Sequence, residues 1–367
     1  MIHFTKVPIS VRILLTKKCN LRCNFCLADA GNAETENELE TSEWLRFFER
    51  LRELQVFSIT LSGGEVFLRK DIFELLTKLR GNRLHKIVIL TNGTLITKEI
   101  AKRLNQLNIR SLAISIDGSE ERHDQIRGKG SFKKSIEGIH NLLKFGIIPQ
   151  ILFTPIRNNY DNLGELIDFL TILGIRDIQV NTLDPKGRCF DIYKDIVLEY
   201  PNQVKEFLEV IDKKREEYSN CKINCEFGFY YHLPETYNYY LKNPENFKMK
   251  HLKDGCSAAS TSCTITPTGD VIPCEGFPTF IGGNIRNQNL LDIWTNSPKF
   301  QIIRDLAKFS MDQVPKCKDC KYIYLCDAGC RANAYLIYND LLGPDILCPY
   351  WDNPLIYKKN EEEKNEE

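Results

Sequence analysis

The first half of the chain alternates two hydrophobic rhythms. Short β-branched runs recur at residues 9–15, 56–62, 85–91, 109–116, 147–154 and 175–182, each of strand length and rich in the Ile, Val and Thr that suit a pleated surface. Between them apolar residues fall three and four apart, as in Trp44, Leu45, Phe48, Leu51 and Leu54, or Ile72, Leu75, Leu76 and Leu79, the spacing of one buried helix face. Thr41, Asp71 and Ser131 stand where such helices would begin, since short polar side chains accept from the free N–H groups of a first turn. Six strand–helix repeats predict a wound parallel sheet, because each parallel crossover needs a helix's worth of chain. An open doubly wound sheet and a full or partial barrel fit this pattern equally. Both gather their βα loops, and hence their ligands, at the carboxyl ends of the strands.

From about Pro185 the rhythm breaks. One helical stretch at 202–218 leads into a Tyr-rich segment ending near Leu252, and residues 256–348 then hold eight of the 14 cysteines among Gly, Pro and Asp turns. So few apolar anchors would fold poorly alone, and bound metal is expected to supply much of that segment's stability. The last ten residues, KKNEEEKNEE, carry no apolar side chain and are expected to be solvated. Four parts follow: a core at 1–195, a bridging helix and linker at 196–252, a cysteine-rich domain at 253–352 and a charged tail at 353–367.

Composition narrows the function. The 367 residues are enough for two domains, and 49 Lys and Arg against 49 Asp and Glu leave no formal charge, so nothing draws the whole chain to nucleic acid or anionic lipid. No run approaches the roughly 18 apolar residues of a membrane span, nor does the start read as a signal peptide. The expectation is a cytoplasmic protein with neither nucleic-acid nor membrane partners. In a reducing compartment closely spaced thiols are metal ligands before they are disulfides.

Cys19, Cys23 and Cys26 form CNLRCNFC directly after the first strand. Zinc and ferredoxin sites normally close with four protein ligands, whereas three thiolates on a 4Fe-4S cube leave one iron open to a substrate or cofactor. Three incidental thiols, or zinc with a borrowed fourth ligand, are the alternatives.

CNLRCNFC, LSGGE at Leu61 to Glu65, TNG at Thr91 to Gly93 and SIDG at Ser115 to Gly118 together resemble the radical S-adenosylmethionine superfamily over about residues 9–182. The resemblance implies an α/β fold with a partial (β/α)6 TIM-like barrel, and a three-cysteine cluster chelated by S-adenosylmethionine, which is cleaved by one electron to methionine and a 5′-deoxyadenosyl radical. It also implies roles for single residues. Gly63 and Gly64, lacking Cβ, would let backbone groups approach the methionine moiety, and Glu65 would accept from its ammonium. Val66 replaces the family's usual Pro, loosening the turn without removing a ligand. Phe25 would lie near the adenine, Ser115 near the methionine carboxylate or ribose, Asn92 and Asn181 near the nucleoside, and Arg127 would offset a carboxylate.

The run Cys256-x12-Gly269-x4-Cys274, then Cys317-x2-Cys320-x5-Cys326-x3-Cys330-x17-Cys348, resembles the small, loop-rich SPASM iron-sulfur extension of peptide- and protein-modifying radical enzymes. With Cys263 the set reaches eight. By resemblance Cys256, Cys263, Cys274 and Cys330 hold one auxiliary 4Fe-4S cluster and Cys317, Cys320, Cys326 and Cys348 a second, three clusters in all; two zinc sites match the same thiolate count. Cys189, Cys221 and Cys225 receive no role. Glu275, directly after Cys274, is a candidate base for the proton of an oxidised substrate radical.

The expected activity is maturation of a ribosomal peptide or protein by a thioether, a carbon-carbon crosslink or epimerisation. Formylglycine formation of the anaerobic sulfatase-maturase kind, and oxidative decarboxylation of a tetrapyrrole or other small molecule, are the rivals. A flavodoxin or ferredoxin is the expected electron donor. With the first cluster motif as early as Cys19, recognition of a leader peptide is expected to fall to a separate protein or to the barrel itself. Inactivation by air is expected of an open cluster.

Overall fold

The computed structural model describes residues 4–31, 36–80, 86–225, 242, 256–315, 317–320, 322–326 and 328–348. The Tyr-rich segment, apart from residue 242, and the charged tail fall outside these. All six expected strands are present: β1 (Ser10–Leu14), β2 (Ser58–Ser62), β3 (Lys86–Thr91), β4 (Ser111–Ser115), β5 (Gln150–Phe153) and β6 (Asp177–Val180). They pair in parallel in chain order. Helices cover the connections: α1 (Thr41–Glu53), α2 (Ile72–Arg80), α3 (Lys98–Gln106), α4 (Glu120–Arg127) with α5 (Ser131–Lys144), and α6 (Leu163–Leu173). α1 buries Trp44, Phe47, Phe48 and Leu51, each such side chain contributing about 1.5–3 kcal/mol. Its N-cap is Glu40, in a reciprocal capping box with Glu43, rather than Thr41.

The parallel sheet outruns the six repeats at both edges. After α7 (Cys189–Ile196) and α8 (Asn202–Glu217), β7 (Lys222–Cys225) pairs parallel with β6, which extends the core sheet beyond residue 195. On the other edge β8 (Ser262–Ile265) lies parallel to β1, with Val11 opposite Cys263 and Ile13 opposite Ile265. β9 (Asp270–Ile272) and β10 (Gly283–Asn284) follow antiparallel. The sheet order is therefore β10-β9-β8-β1-β2-β3-β4-β5-β6-β7, and the cysteine-rich domain is built onto the barrel's first strand. Its remaining helices are α9 (Leu290–Asn296), α10 (Pro298–Asp305), α11 (Ile323–Cys326) and α12 (Arg331–Tyr338). Trp294 donates its indole N–H to the Thr5 carbonyl at 2.8 Å, fastening the chain's start to this domain. No helix among the described residues is long and apolar enough to cross a membrane.

Candidate active site

Two glycines build the cysteine loop. Gly64 N–H donates to the Thr16 carbonyl (2.7 Å) and Glu65 N–H to that of Lys18 (2.8 Å), bringing the end of β2 against the residues just before Cys19. A Cβ on Gly63, whose φ is +121°, would sit 2.4 Å from the Thr16 oxygen, and one on Gly64 2.1 Å from the Lys18 oxygen. Those are impossible contacts for any other residue. These glycines permit a close approach to the loop's own backbone, and Gly63 also lines the cavity described below.

Glu65 is tied into the same turn. It is 0 % exposed, and its oxygens accept from Thr91 Oγ1 (2.8 Å), Asn92 N–H (2.9 Å) and Phe67 N–H (3.2 Å). Burial raises its pKa against these bonds, and through them it braces the turn. Asn92 is likewise spent locally. Its Oδ1 accepts from Thr94 N–H at 2.9 Å and its Nδ2 donates to Asn20 Oδ1 at 3.0 Å, with Cys19 Sγ 4.0 Å away. It therefore positions the cysteine loop.

Each sulfur of the triplet has a donor. Asn92 Nδ2 faces Cys19, Arg127 Nη1 lies 3.7 Å from Cys23 Sγ, and Ala30 N–H 3.5 Å from Cys26 Sγ. The three thiols also influence one another electrostatically, and burial pushes Cys19 up to about 11 and raises Cys23. N–H donors at each of the three sulfurs suit a thiolate-held cluster, whose charge such donors offset, although among the described residues no three Cys, His, Asp or Glu side chains already stand gathered as a metal site.

Arg127, at the end of α4, is locked rather than solvated. Its Nε donates to Asp117 Oδ2 at 2.5 Å, and its guanidinium stands 5.8 Å from the centre of the Phe25 ring. Asp117 is 0 % exposed and also accepts from Thr154 N–H at 3.0 Å. The carboxylate that Arg127 offsets is therefore the protein's own. His123, buried below this pair, accepts the Asp117 N–H on Nδ1, and burial pushes its pKa down to about 4. Half-buried Ser115 ends β4, and Asn181, also half-buried, follows β6, where its N–H donates to the Phe153 carbonyl at 2.8 Å.

The segment after β6 is the contribution that sequence reasoning missed. Gly187 packs so closely that a Cβ would lie 2.4 Å from the Cys26 oxygen. Arg188 donates from Nε to the Cys23 carbonyl (3.0 Å) and from Nη1 to Asp29 (2.7 Å). Lys186, paired with Asp184 at 3.4 Å, lies within electrostatic reach of Cys274 and Cys330. One three-residue stretch thus clamps the cysteine triplet and reaches the second domain. A Gly between two basic residues after a strand was its one sequence signal.

Among the later cysteines, Cys317, Cys320, Cys326 and Cys348 form one mutually interacting group. Cys256 neighbours Cys274, and Cys274 and Cys330 share Lys186. Asp345 fixes this corner by accepting from Cys330 N–H (2.6 Å), Leu347 N–H (3.0 Å) and Asn333 Nδ2 (3.2 Å). Cys263, the eighth expected ligand, stands apart from these groups in this structure. It sits in β8 at 1 % exposure within the main apolar core, with Arg304 as its charged neighbour and its thiol pushed up to about 12 by burial. Strand alternation turned it inward.

A cavity of about 730 Å³ opens between the barrel's carboxyl end and the second domain. Leu27, Gly63, Lys186, Ile272, Glu275 and Gly276 contribute to its wall. Glu275 accepts from Arg12 Nη1 at 2.5 Å, which fixes its carboxylate at that wall.

The radical SAM superfamily model matches residues 13–170, and an iron-sulfur cluster-binding domain model, SPASM, matches 256–321. An AdoMet-dependent heme synthase of Methanosarcina barkeri is 30 % identical over 95 % of this chain and 99 % of its own. A mycofactocin maturase of Mycolicibacterium smegmatis is 28 % identical over 96 % of this chain and 86 % of its own. Among solved structures, Streptococcus suis SuiB bound to S-adenosylmethionine superposes with a TM-score of 0.74 at 21 % identity, covering 94 % of this chain and 78 % of that one. Native anSMEcpe with bound AdoMet gives 0.69 at 19 %, covering 97 % and 98 %. The chain belongs to the radical SAM superfamily and carries a C-terminal SPASM domain. It is an enzyme that uses S-adenosylmethionine and iron-sulfur clusters, on a partial-barrel fold.

Proposed function

We propose that this enzyme abstracts hydrogen from a ribosomal peptide or protein and so modifies it. Cys19, Cys23 and Cys26 would hold the cluster that binds S-adenosylmethionine, and the later cysteines two auxiliary clusters. When bound, the first cluster and S-adenosylmethionine supply the 5′-deoxyadenosyl radical; a ferredoxin or flavodoxin would supply the electron. Ser115 and Asn181 offer polar groups at the barrel mouth to the nucleoside, and Phe25 an apolar face. Glu275, beside Cys274 and oriented by Arg12, takes up the proton released when the substrate radical is oxidised.

The observation that carries the choice of substrate is the cavity's charge. Asp29, Glu36, Glu38, Asp191, Asp270 and Glu275 line it against Lys17 and Lys186. Even with Arg188 and Arg12 behind Asp29 and Glu275, carboxylates outnumber cations. A polycarboxylate would enter against that field, whereas a neutral or basic peptide would not. A second reading, oxidative decarboxylation of a tetrapyrrole, is favoured by the likeness to the heme synthases over nearly all of the chain. Anaerobic incubation of the reduced holoenzyme with S-adenosylmethionine and either the peptides encoded beside its gene or iron-coproporphyrin decides between them. The proposal expects a mass or stereochemical change in a peptide; decarboxylated porphyrin with every peptide unchanged would overturn it.

A further inference from the structure

The two faces of α7 do different work. Cys189 and Tyr193, four residues apart, are buried in a small apolar cluster with Ile126 and Leu183 and anchor the helix. Phe190 and Asp191, between them in sequence, line the cavity of about 730 Å³ instead. Leu336 of α12 belongs to the same wall from the side of the second domain. Phe190 is 39 % exposed and Leu336 40 %, so each domain leaves one large apolar side chain open to the same space. Single exposed apolar residues are ordinary on a protein surface, but two on one concave wall, continued by Leu27 and Ile272, mark where a ligand covers them.

The carboxylates of that wall are not equivalent. Asp29 is paired with Arg188 and Glu275 with Arg12. Glu38 accepts from Thr16 Oγ1 and Lys17 N–H, and Asp270 from Thr268 Oγ1 and Asn284 Nδ2. Glu36 and Asp191 alone among them have no hydrogen-bond or ion-pair partner among the described residues, and Asp191 directly follows Phe190. A carboxylate beside apolar surface suits a Lys or Arg, whose stem packs on that surface while its charged end meets the oxygens. We propose that Phe190 and Leu336 grip a large apolar side chain of the substrate peptide and that Asp191 pairs with a Lys or Arg next to it, so that the enzyme selects an apolar–basic step in the peptide sequence. Arg188 ties the start of α7 to the Cys23 carbonyl at 3.0 Å, which holds the gripped step beside the cysteine loop. An acidic neighbour in place of the basic one meets Asp191 and Glu36 as like charges.

The inference rests on the peptide reading above, and the test separates the two. A library of random short peptides displayed on their own mRNA is panned anaerobically on the reconstituted, unreduced holoenzyme with S-adenosylmethionine. Retained peptides should be enriched about tenfold in a large apolar residue next to Lys or Arg. Phe190→Ala combined with Leu336→Ala should abolish the apolar preference. Asp191→Lys, a change at an exposed position that leaves the core untouched, should replace the basic preference by one for Asp or Glu of about three- to fivefold. Retained peptides without the apolar–basic step, or the same sequences selected by Asp191→Lys as by the parent, would overturn the proposal and leave a peptide substrate standing. No peptide retained above a blank matrix, together with decarboxylated iron-coproporphyrin in the assay above, would remove both.

Discussion

Replacing Arg127 by Met should unseat the wall of the cysteine loop at a measurable cost. The guanidinium is 12 % exposed and the Asp117 carboxylate fully buried, 2.5 Å apart. Removing the cation leaves Asp117 with the Thr154 N–H as its remaining side-chain hydrogen bond, and stranding one member of such a buried pair costs about 3–5 kcal/mol. Two unit charges about 4 Å apart at an effective dielectric of about 20 give roughly 4 kcal/mol, the same scale. Against a total stability of about 5–15 kcal/mol this is a large fraction. Anaerobic urea unfolding of the apoprotein should therefore show Arg127→Met less stable by about 3–4 kcal/mol. Adding Asp117→Asn should recover most of it, because the uncompensated charge is then gone. Arg127→Met within about 0.5 kcal/mol of the parent, or a double variant no better than the single, would refute the reasoning.

Three further outcomes follow from particular contacts. Gly64→Ala places a methyl 2.1 Å from the Lys18 oxygen, so iron bound at the N-terminal site should fall by at least half while the auxiliary clusters' absorbance persists; full N-terminal occupancy would contradict the packing. His123 stays neutral in the fold down to about pH 4, whereas unfolded it takes a proton below about 6.5. Stability should therefore decline as pH falls from about 6.5 toward 4, by about 3 kcal/mol across the window, and urea midpoints of His123→Gln should lack that part of the slope. Lys186→Ala removes a cation near Cys274 and Cys330 and should lower one auxiliary reduction potential by roughly 50–100 mV in anaerobic redox titration; an unchanged or higher potential would put Lys186 elsewhere.

The sequence revealed what is periodic or regularly spaced and concealed what depends on tertiary approach. β1 to β6 were legible because the run around each strand carries two or more Ile or Val residues that the fold buries. β7 reads KINC, only four residues with one fully buried apolar position, too short to register as a strand. β8 was hidden by its partner, since nothing in SCTI says that it pairs with β1 some 250 residues earlier. The same limit governs the site. Cysteine spacing identified the groups, but the strand pleat decides that Cys263 points into the core. Likewise Glu65 and Asn92 were recognised as site residues, yet which of their hydrogen bonds are internal depends on where Thr91, Asn20 and Thr94 stand. Lys186, Gly187 and Arg188 carry no motif at all; their role exists only because the chain after β6 folds back over the cysteine loop.

The central claim is that the Cys19, Cys23 and Cys26 centre binds S-adenosylmethionine at an iron without a protein ligand. Its most direct measurement is the EPR and ENDOR spectrum of the reduced holoenzyme with and without S-adenosylmethionine labelled with 15N at the amino group and 17O at the carboxylate. The account predicts a shift in the N-terminal signal together with hyperfine coupling to both labels. A spectrum unaltered by the nucleoside, with no coupling to either nucleus, would contradict it.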